Sequence, residues 1–415
     1  MQDRKFQRGL SVNSQRRICK TLTVIVLGAI LGISLFVCGC QMAEKRKPVV
    51  IPSDLSVPNK ITSGVLIESQ GGEFELASWS VTAYDISEGR KLWEFDDMAP
   101  CYSAKIYGKE VFAPLHPSDY ERMCRIAAFD ARTGKNLREY NFWKIDSLGD
   151  VEGVGDRPNW HFWISELEVS DKYIVSMSIG NKCKAIDLRN GQIVFDEFIS
   201  GEMLHSTILA LVDSTLFIGG SNVSAYDLNS GELVWQRNLK SAEDLAITSQ
   251  GLICTTNEPN KHYLYLLDVN SGRTIWRSDN SDSWGHRIAA NNNRLLCNTE
   301  EVSLSGEYQY GPSGLYCIDL KTGQKLWRFT CPASYAEIST PLILDGVVYF
   351  DNTDGYFYAL DLATGEAIGR HDSIGGEGNP LTDGNYVYIL YDGEIYKFQK
   401  AVKGNVWPAP VILPP

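Results

Sequence analysis

The chain has 415 residues, 22% charged and 44% hydrophobic, with a formal net charge of −12, a globular composition that excludes a disordered or fibrous protein. The first 39 residues hold six Lys/Arg against Asp3 alone, a net +5, so the rest of the chain carries −17. A body this acidic is repelled by phosphate backbones and anionic head groups, which argues against broad nucleic-acid binding or electrostatic adhesion to lipid.

In chain order, the first predicted element is an export segment. Residues 21–38, TLTVIVLGAILGISLFVC, carry no charge and follow a basic stretch, the layout of a secretory signal or a short membrane span. The run ends in Val37-Cys38-Gly39-Cys40, which resembles a bacterial lipobox, although Cys38 stands where Ser, Ala or Thr is usual. That resemblance implies a signal peptide over residues 1–39 and a lipid on Cys40, the alternatives being an uncleaved anchor or an ordinary signal. Gln41 replaces the Asp of an inner-membrane retention signal, so the resemblance points to the outer membrane, with inner-membrane anchoring as the alternative. Residues 40–61 read as a polar, Pro-punctuated tether.

Beyond Cys40 the cysteines are Cys101, Cys124, Cys183, Cys254, Cys297, Cys317 and Cys331. Their number is odd and none are close together, so they form neither a CxxC metal motif nor a disulfide framework and read as small buried hydrophobes.

Self-similarity dominates the remainder. Seven segments share one pattern: AYDISEGRKLW from Ala83, AFDARTGKNLR from Ala128, AIDLRNGQIVF from Ala185, AYDLNSGELVW from Ala225, LLDVNSGRTIW from Leu266, CIDLKTGQKLW from Cys317 and ALDLATGEAIG from Ala359. In each, an Asp (Asp85, Asp130, Asp187, Asp227, Asp268, Asp319, Asp361) precedes a Gly (Gly89, Gly134, Gly191, Gly231, Gly272, Gly323, Gly365) by four, and an aliphatic residue follows the Gly by three. Four segments then have Trp: Trp93, Trp235, Trp276 and Trp327.

A carboxylate that accepts backbone N–H groups across a tight turn, followed by a residue free to take φ > 0, makes each segment a β-hairpin. A second hairpin precedes many of them, as in PLILDGVVYFDNTDGYFYALD from Pro341. Together they predict four antiparallel strands per repeat. Successive Asp residues are 45, 57, 40, 41, 51 and 42 apart, the period of a propeller blade. A degenerate eighth copy closes the chain, with Gly393–Phe398 matching Gly355–Leu360 and with Gly404 and Trp407 echoing the Gly and Trp. The expected fold is all-β: an eight-bladed propeller over residues 62–408, then a tail, 409–415. The recurrent Trp is expected to wedge between neighbouring blades, and the Asp to cap its turn.

The repeated A-x-D-x-x-T/S-G-x-x-x-W resembles the tryptophan-docking repeats of quinoprotein-type (PQQ-like) propellers. A lipobox followed by one eight-bladed propeller is similar, within that superfamily, to the outer-membrane assembly lipoproteins that scaffold the β-barrel insertion machinery. That likeness implies a non-catalytic scaffold facing the periplasm, whose partners are envelope proteins, the β-barrel assembly machinery among them. Quinone-dependent dehydrogenases of the superfamily carry adjacent cysteines and a Ca²⁺ ligand set; no adjacent cysteines occur here, and neither cofactor nor metal is expected. Arg138, Phe195 and Gly369 replace the docking Trp in repeats two, three and seven, so those junctions should be looser or packed differently.

If the Asp-to-Gly turn joins the third strand to the fourth, the two long insertions fall on the opposite face. One, NFWKIDSLGDVEGVGDRPNWHFW, brings Trp143, Trp160, His161 and Trp163; the other, EEVSLSGEYQYGPSG, brings Tyr308 and Tyr310. These aromatics have the composition of a contact surface, or else fold back over the channel mouth. The six histidines lack metal-ligand spacing, and no G-x-S-x-G, H-E-x-x-H or P-loop motif occurs. The alternative functions are a quinone-dependent or other small-substrate enzyme and a ligand- or polysaccharide-binding sensor module.

Overall fold

The computed structural model describes residues 48–51, 61, 63–70, 79–98, 104–115, 123–144, 164–178, 181–199, 209–239, 242–258, 261–280, 288–291, 293–299, 312–334, 338–372, 378–391 and 393–413. These residues form 31 strands and no helix. Pairing is antiparallel throughout, in six four-stranded sheets and one seven-stranded sheet. The larger sheet is two blades, of three and four strands, bridged by the single pair Met98↔Leu115. The protein is therefore an eight-bladed propeller, with blades over residues 65–98, 105–144, 164–198, 209–237, 242–280, 288–334, 342–372 and 381–413.

The core lies between blades rather than within them. Of seven buried apolar clusters, one joins blades 1, 2 and 3, and the others lie one to each following seam, ending with Leu66, Tyr84, Tyr388 and Ile395 between blades 8 and 1. A single blade has two apolar faces and cannot bury both alone, so closure of the ring is what stabilises each of them. At the closing seam the Ile61 N–H also donates to the Thr382 carbonyl at 2.7 Å.

The repeated Asp works as expected. In all seven hairpins its Oδ1 accepts a backbone N–H two or three residues on, at 2.8–3.0 Å, from Ser87, Thr133, Arg189, Asn229, Ser271, Thr322 and Ala363 or Thr364. The Gly that follows has φ between 66° and 75°. Side-chain hydrogen bonds from Ser87, Thr133, Arg189 and Thr322, helped by the backbone N–H groups and working against partial desolvation, hold the carboxyls of Asp85, Asp130, Asp187 and Asp319 below their ordinary range. A carboxyl more acidic in the folded state contributes stability that is complete above its unfolded pKa of about 3.9 and is lost as pH falls through its folded value. The urea midpoint is therefore expected to fall steeply below about pH 4, with Asp319→Asn reducing that acid-side slope.

In every one of the seven blades the ladder shifts register just before the Trp position, so that the aliphatic residues Leu92, Leu137, Val194, Val234, Ile275, Leu326 and Ile368 are unpaired. Each blade thus carries a β-bulge at the same place, which increases local twist and re-aims the next side chain. That side chain is the docking Trp. Trp93, Trp235, Trp276 and Trp327 each donate the indole N–H to a carbonyl of the following blade, on Ala131, Val269, Leu320 and Leu362, at 2.8–2.9 Å. Their rings cover Gly134, Gly272, Gly323 and Gly365, where a Cβ would come within 2.5–2.7 Å of the indole. At these four turns, positive φ and the stacked ring both require Gly.

The other junctions are packed differently. Arg138 stays in its own blade, paired with Glu110 at 2.5 Å, and a Cβ on Gly191 would meet nothing within 4 Å. Phe195 reaches Tyr226 of blade 4 edge-on, with centroids 4.8 Å apart. Trp407, expected to echo the docking Trp, instead fills the place that Gly369 leaves empty between blades 7 and 8. The chain beyond residue 408, expected to be a tail, contains the strand Val411–Leu413, which pairs with Ile395–Lys397 and completes blade 8.

Candidate functional face

Strand direction sorts the connections into two sets. First-to-second and third-to-fourth turns share one face, the face of the Asp–Gly turns. Second-to-third turns and blade-to-blade connections share the other, the loop face. Residues 145–163 join the outer strand of blade 2, Asn136–Lys144, to the innermost strand of blade 3, Ile164–Val169. Residues 300–311 join Arg294–Thr299 to Pro312–Asp319, the second and third strands of blade 6. Both insertions therefore leave strand ends on the loop face, as the sequence implied, but from opposite parts of the ring. Trp160, His161, Trp163, Tyr308 and Tyr310 lie outside the described residues.

Trp143 is described, and it does not belong to an exposed surface. It sits on the outer strand of blade 2 opposite Cys124, is only 1% exposed, and packs on Phe142 with centroids 5.3 Å apart. The Lys184 ammonium, itself buried, lies 6.0 Å from the Trp143 ring and 3.2 Å from the Asp196 carboxylate, and it donates to the Phe142 carbonyl. Trp143 thus belongs to the seam of blades 2 and 3. Alternation around it, with Phe142 and Trp143 both apolar, is the same departure from period 2 that marks the bulges. Here too the ladder shifts, between Cys124 and Arg125.

Polar groups at the loop face are best defined in blade 7. Its second-to-third turn places Asp354 to accept from the Tyr358 hydroxyl at 2.8 Å and the Tyr356 N–H at 3.1 Å. Burial raises the Asp354 carboxyl above its ordinary range despite those donors, and burial together with Asp354 raises the Tyr358 phenol. The Arg370 guanidinium lies 4.0 Å from the Tyr356 ring centroid, a cation–π contact. Nearer the axis, the Ser339 hydroxyl accepts from the buried Asp351 N–H at 2.8 Å. On the innermost strands, Lys105 of blade 2 pairs with Glu168 of blade 3 at 2.8 Å. Burial works against the Lys105 charge, but the carboxylates of Glu168 and Glu166 outweigh it and raise its pKa.

Among the described residues these groups pair with one another and with the backbone. Six cysteines, Cys124, Cys183, Cys254, Cys297, Cys317 and Cys331, are buried. Burial pushes the thiols of Cys124, Cys297 and Cys317 up to about 12, which keeps them protonated and unreactive. Among the described residues no group of three or more His, Cys, Asp or Glu is placed to hold a metal ion. His371 lies on the outer strand Ala367–Asp372, its ring 4.5 Å from that of Trp407, and burial lowers its pKa.

Comparison with known proteins agrees with this architecture. The chain is 24% identical over 193 residues to the outer membrane protein assembly factor BamB of Legionella pneumophila (strain Paris), 43% of this chain and 47% of that protein. It is 23% identical over 205 residues to the BamB of Pseudomonas aeruginosa, 46% and 50% respectively, so the chain spans about half the length of these curated relatives. The crystal structure of BamB from Moraxella catarrhalis has the same fold, with a TM-score of 0.58 and 16% identity over 84% of this chain and 98% of that one. The family profile described as outer membrane protein assembly factor BamB matches residues 123–258 and 260–411, from the third strand of blade 2 to the last strand of blade 8. The chain belongs to the family of the outer membrane protein assembly factor BamB.

Proposed function

We propose that this protein is a scaffold of the bacterial cell envelope, held at the outer membrane through a lipid on Cys40 and facing the periplasm, that binds envelope proteins through its loop face during outer-membrane protein assembly. The observation that carries this reading is the family match over blades 2–8, joined to the asymmetry of the disc. One face carries seven equivalent capped turns; the other receives the two aromatic insertions. Loops on a rigid scaffold are where binding residues concentrate, and clustered aromatics are the usual anchors of protein interfaces. The buried, protonated thiols and the dispersed carboxylates suit recognition rather than covalent or metal-assisted chemistry.

The test is capture from solubilised envelope membranes by the full-length protein. Trp160→Ala with Trp163→Ala is expected to reduce capture of β-barrel assembly components by about tenfold or more, the loss of two hot-spot aromatics, with an unchanged thermal midpoint. Undiminished capture would remove that loop from the interface. Tight binding of a small molecule, with no envelope protein captured, would overturn the scaffold reading.

A further inference from the structure

The chain reaches its first blade by way of the far side of the ring. Residues 48–51, Pro-Val-Val-Ile, lie at the seam of blades 4 and 5. The Val49 N–H donates to the Asn270 Oδ1 at 2.8 Å, and Val49 and Ile51 pack against the cluster that contains Trp235, Tyr265 and Val269. Val50 between them is 76% exposed, the alternation of an extended chain with one face docked. Ten residues on, Ile61 is fixed at the seam of blades 8 and 1 by its hydrogen bond to Thr382 and its packing in that seam's cluster.

Blade 5 is distinguished from its neighbours at this point. Asn270 lies two residues after the turn Asp, where the other blades have Ser87, Arg132, Arg189, Asn229, Lys321 and Ala363. Of these only Asn229 also offers an amide oxygen, and that oxygen takes the Tyr173 hydroxyl at 2.9 Å. The seam beside it contributes Trp235, with Val234 of the bulge packed against the same cluster, so it supplies the apolar half of the contact.

We propose that residues 48–51 act as a strap that makes the seam of blades 4 and 5, at the face of the Asp–Gly turns, the point where the disc is held to the lipid surface, so that the loop face is turned away from the bilayer. This rests on the reading of Cys40 as the lipid-bearing residue. Pro48 lies eight positions after Cys40, a reach of at most about 29 Å; without the strap, the twenty-one positions to Ile61 would allow about 75 Å and an exit at blades 8 and 1. Lys45, Arg46 and Lys47 immediately precede the strap. Three cations next to a lipid anchor are drawn to anionic head groups, whereas the body beyond Lys47, of charge −19, is repelled, so the docked strap also sets which part of an acidic disc approaches the membrane.

The test uses the full-length lipidated protein with benzoylphenylalanine in place of Arg46. Intramolecular photo-crosslinks are expected at 227–237 and 263–273, exceeding those at 84–93 and 386–399 by about tenfold, the preference that about 1.4 kcal/mol of docking would give. Val49→Asp with Ile51→Asp, and separately Asn270→Ala, should abolish the preference without changing the thermal midpoint. Crosslinks favouring blades 8 and 1, or showing no preference, overturn the strap.

On vesicles of phosphatidylethanolamine and phosphatidylglycerol carrying a head-group quencher, a fluorophore at Arg273→Cys should be quenched several-fold more than one at the equivalent Arg90→Cys, both in a Cys101→Ser background. Equal quenching, or more at Arg90→Cys, overturns the proposed orientation. If the crosslinks hold but the membrane-bound protein carries no diacylglyceryl thioether on Cys40 by mass spectrometry, the strap stands and the lipid-anchor reading falls.

Discussion

Replacing Trp407 with Ala is expected to lower the stability of the propeller by about 3–5 kcal/mol, the range for deleting a large buried aromatic. Trp407 is 6% exposed, and its indole N–H donates to the Gln399 carbonyl at 2.7 Å. Ring centroids of Tyr349, Phe357, Phe398 and His371 lie within 4.5–5.7 Å of it. Truncation would leave a void at the seam where blade 7 has no wedge of its own, because Gly369 occupies the docking position. The same C-terminal segment is held by the Ala401 N–H on the Tyr349 hydroxyl at 2.9 Å and by Lys400 on Asp345 at 2.5 Å, so the seam also secures the strand that completes blade 8. A Cβ on Gly369 would lie 3.2 Å from the Trp407 Cβ and 3.3 Å from its Cε3. Gly369→Leu should therefore destabilise the native protein by about 1–3 kcal/mol through overpacking and should be neutral or stabilising in the Trp407→Ala background. Urea unfolding of the four proteins would measure that coupling; additive effects would show that the two residues do not share one site.

The number of blades, their boundaries and the turn chemistry were legible because the Asp and Gly requirements are local: each depends on a carboxylate reaching its own turn and on one backbone angle. Trp407 shows where local reasoning stops. It resembles the docking Trp by composition, yet it follows Gly404 by three residues, while Trp93, Trp235, Trp276 and Trp327 follow their Gly by four, and Lys400 stands where the turn Asp should be. The one-residue deficit was a visible signal that the side chain would leave the hairpin pattern, and it packs backward onto blade 7. The bulges left a signal too. An aliphatic next to an aromatic, as in Leu92-Trp93 or Val234-Trp235, breaks the alternation of a half-buried strand, and a bulge is the way to direct both residues usefully. Placing Trp143 in a contact loop erred for a related reason: the outer strand of blade 2 is nine residues long, and its end lies at the seam with blade 3. What no local rule could supply is the course of residues 48–51, since their partner Asn270 is 221 positions away from Val49 and no periodicity links them.

The second large effect concerns a turn Gly and separates two reasons for the same residue. Gly272→Ala is expected to cost about 2–4 kcal/mol: about 1 kcal/mol for an L residue at positive φ, and the rest for overpacking. The new Cβ would stand 2.5 Å from Cε3 and 2.7 Å from Cδ2 of Trp235, and a rigid, buried indole cannot yield as a flexible side-chain tip would. Moving the ring would also stretch its 2.9 Å hydrogen bond to the Val269 carbonyl. Gly191→Ala, at φ 70° with nothing within 4 Å of the added methyl, should show the conformational part alone, about 1 kcal/mol. The difference between the two in urea midpoints then measures how firmly a docking Trp is held. Repeating Gly272→Ala in a Trp235→Ala background should reduce its cost to that of Gly191→Ala. An unchanged cost there would mean that backbone angle alone, and not the ring of the preceding blade, fixes Gly at the docked turns, and that the wedge is not what sets the spacing of the blades.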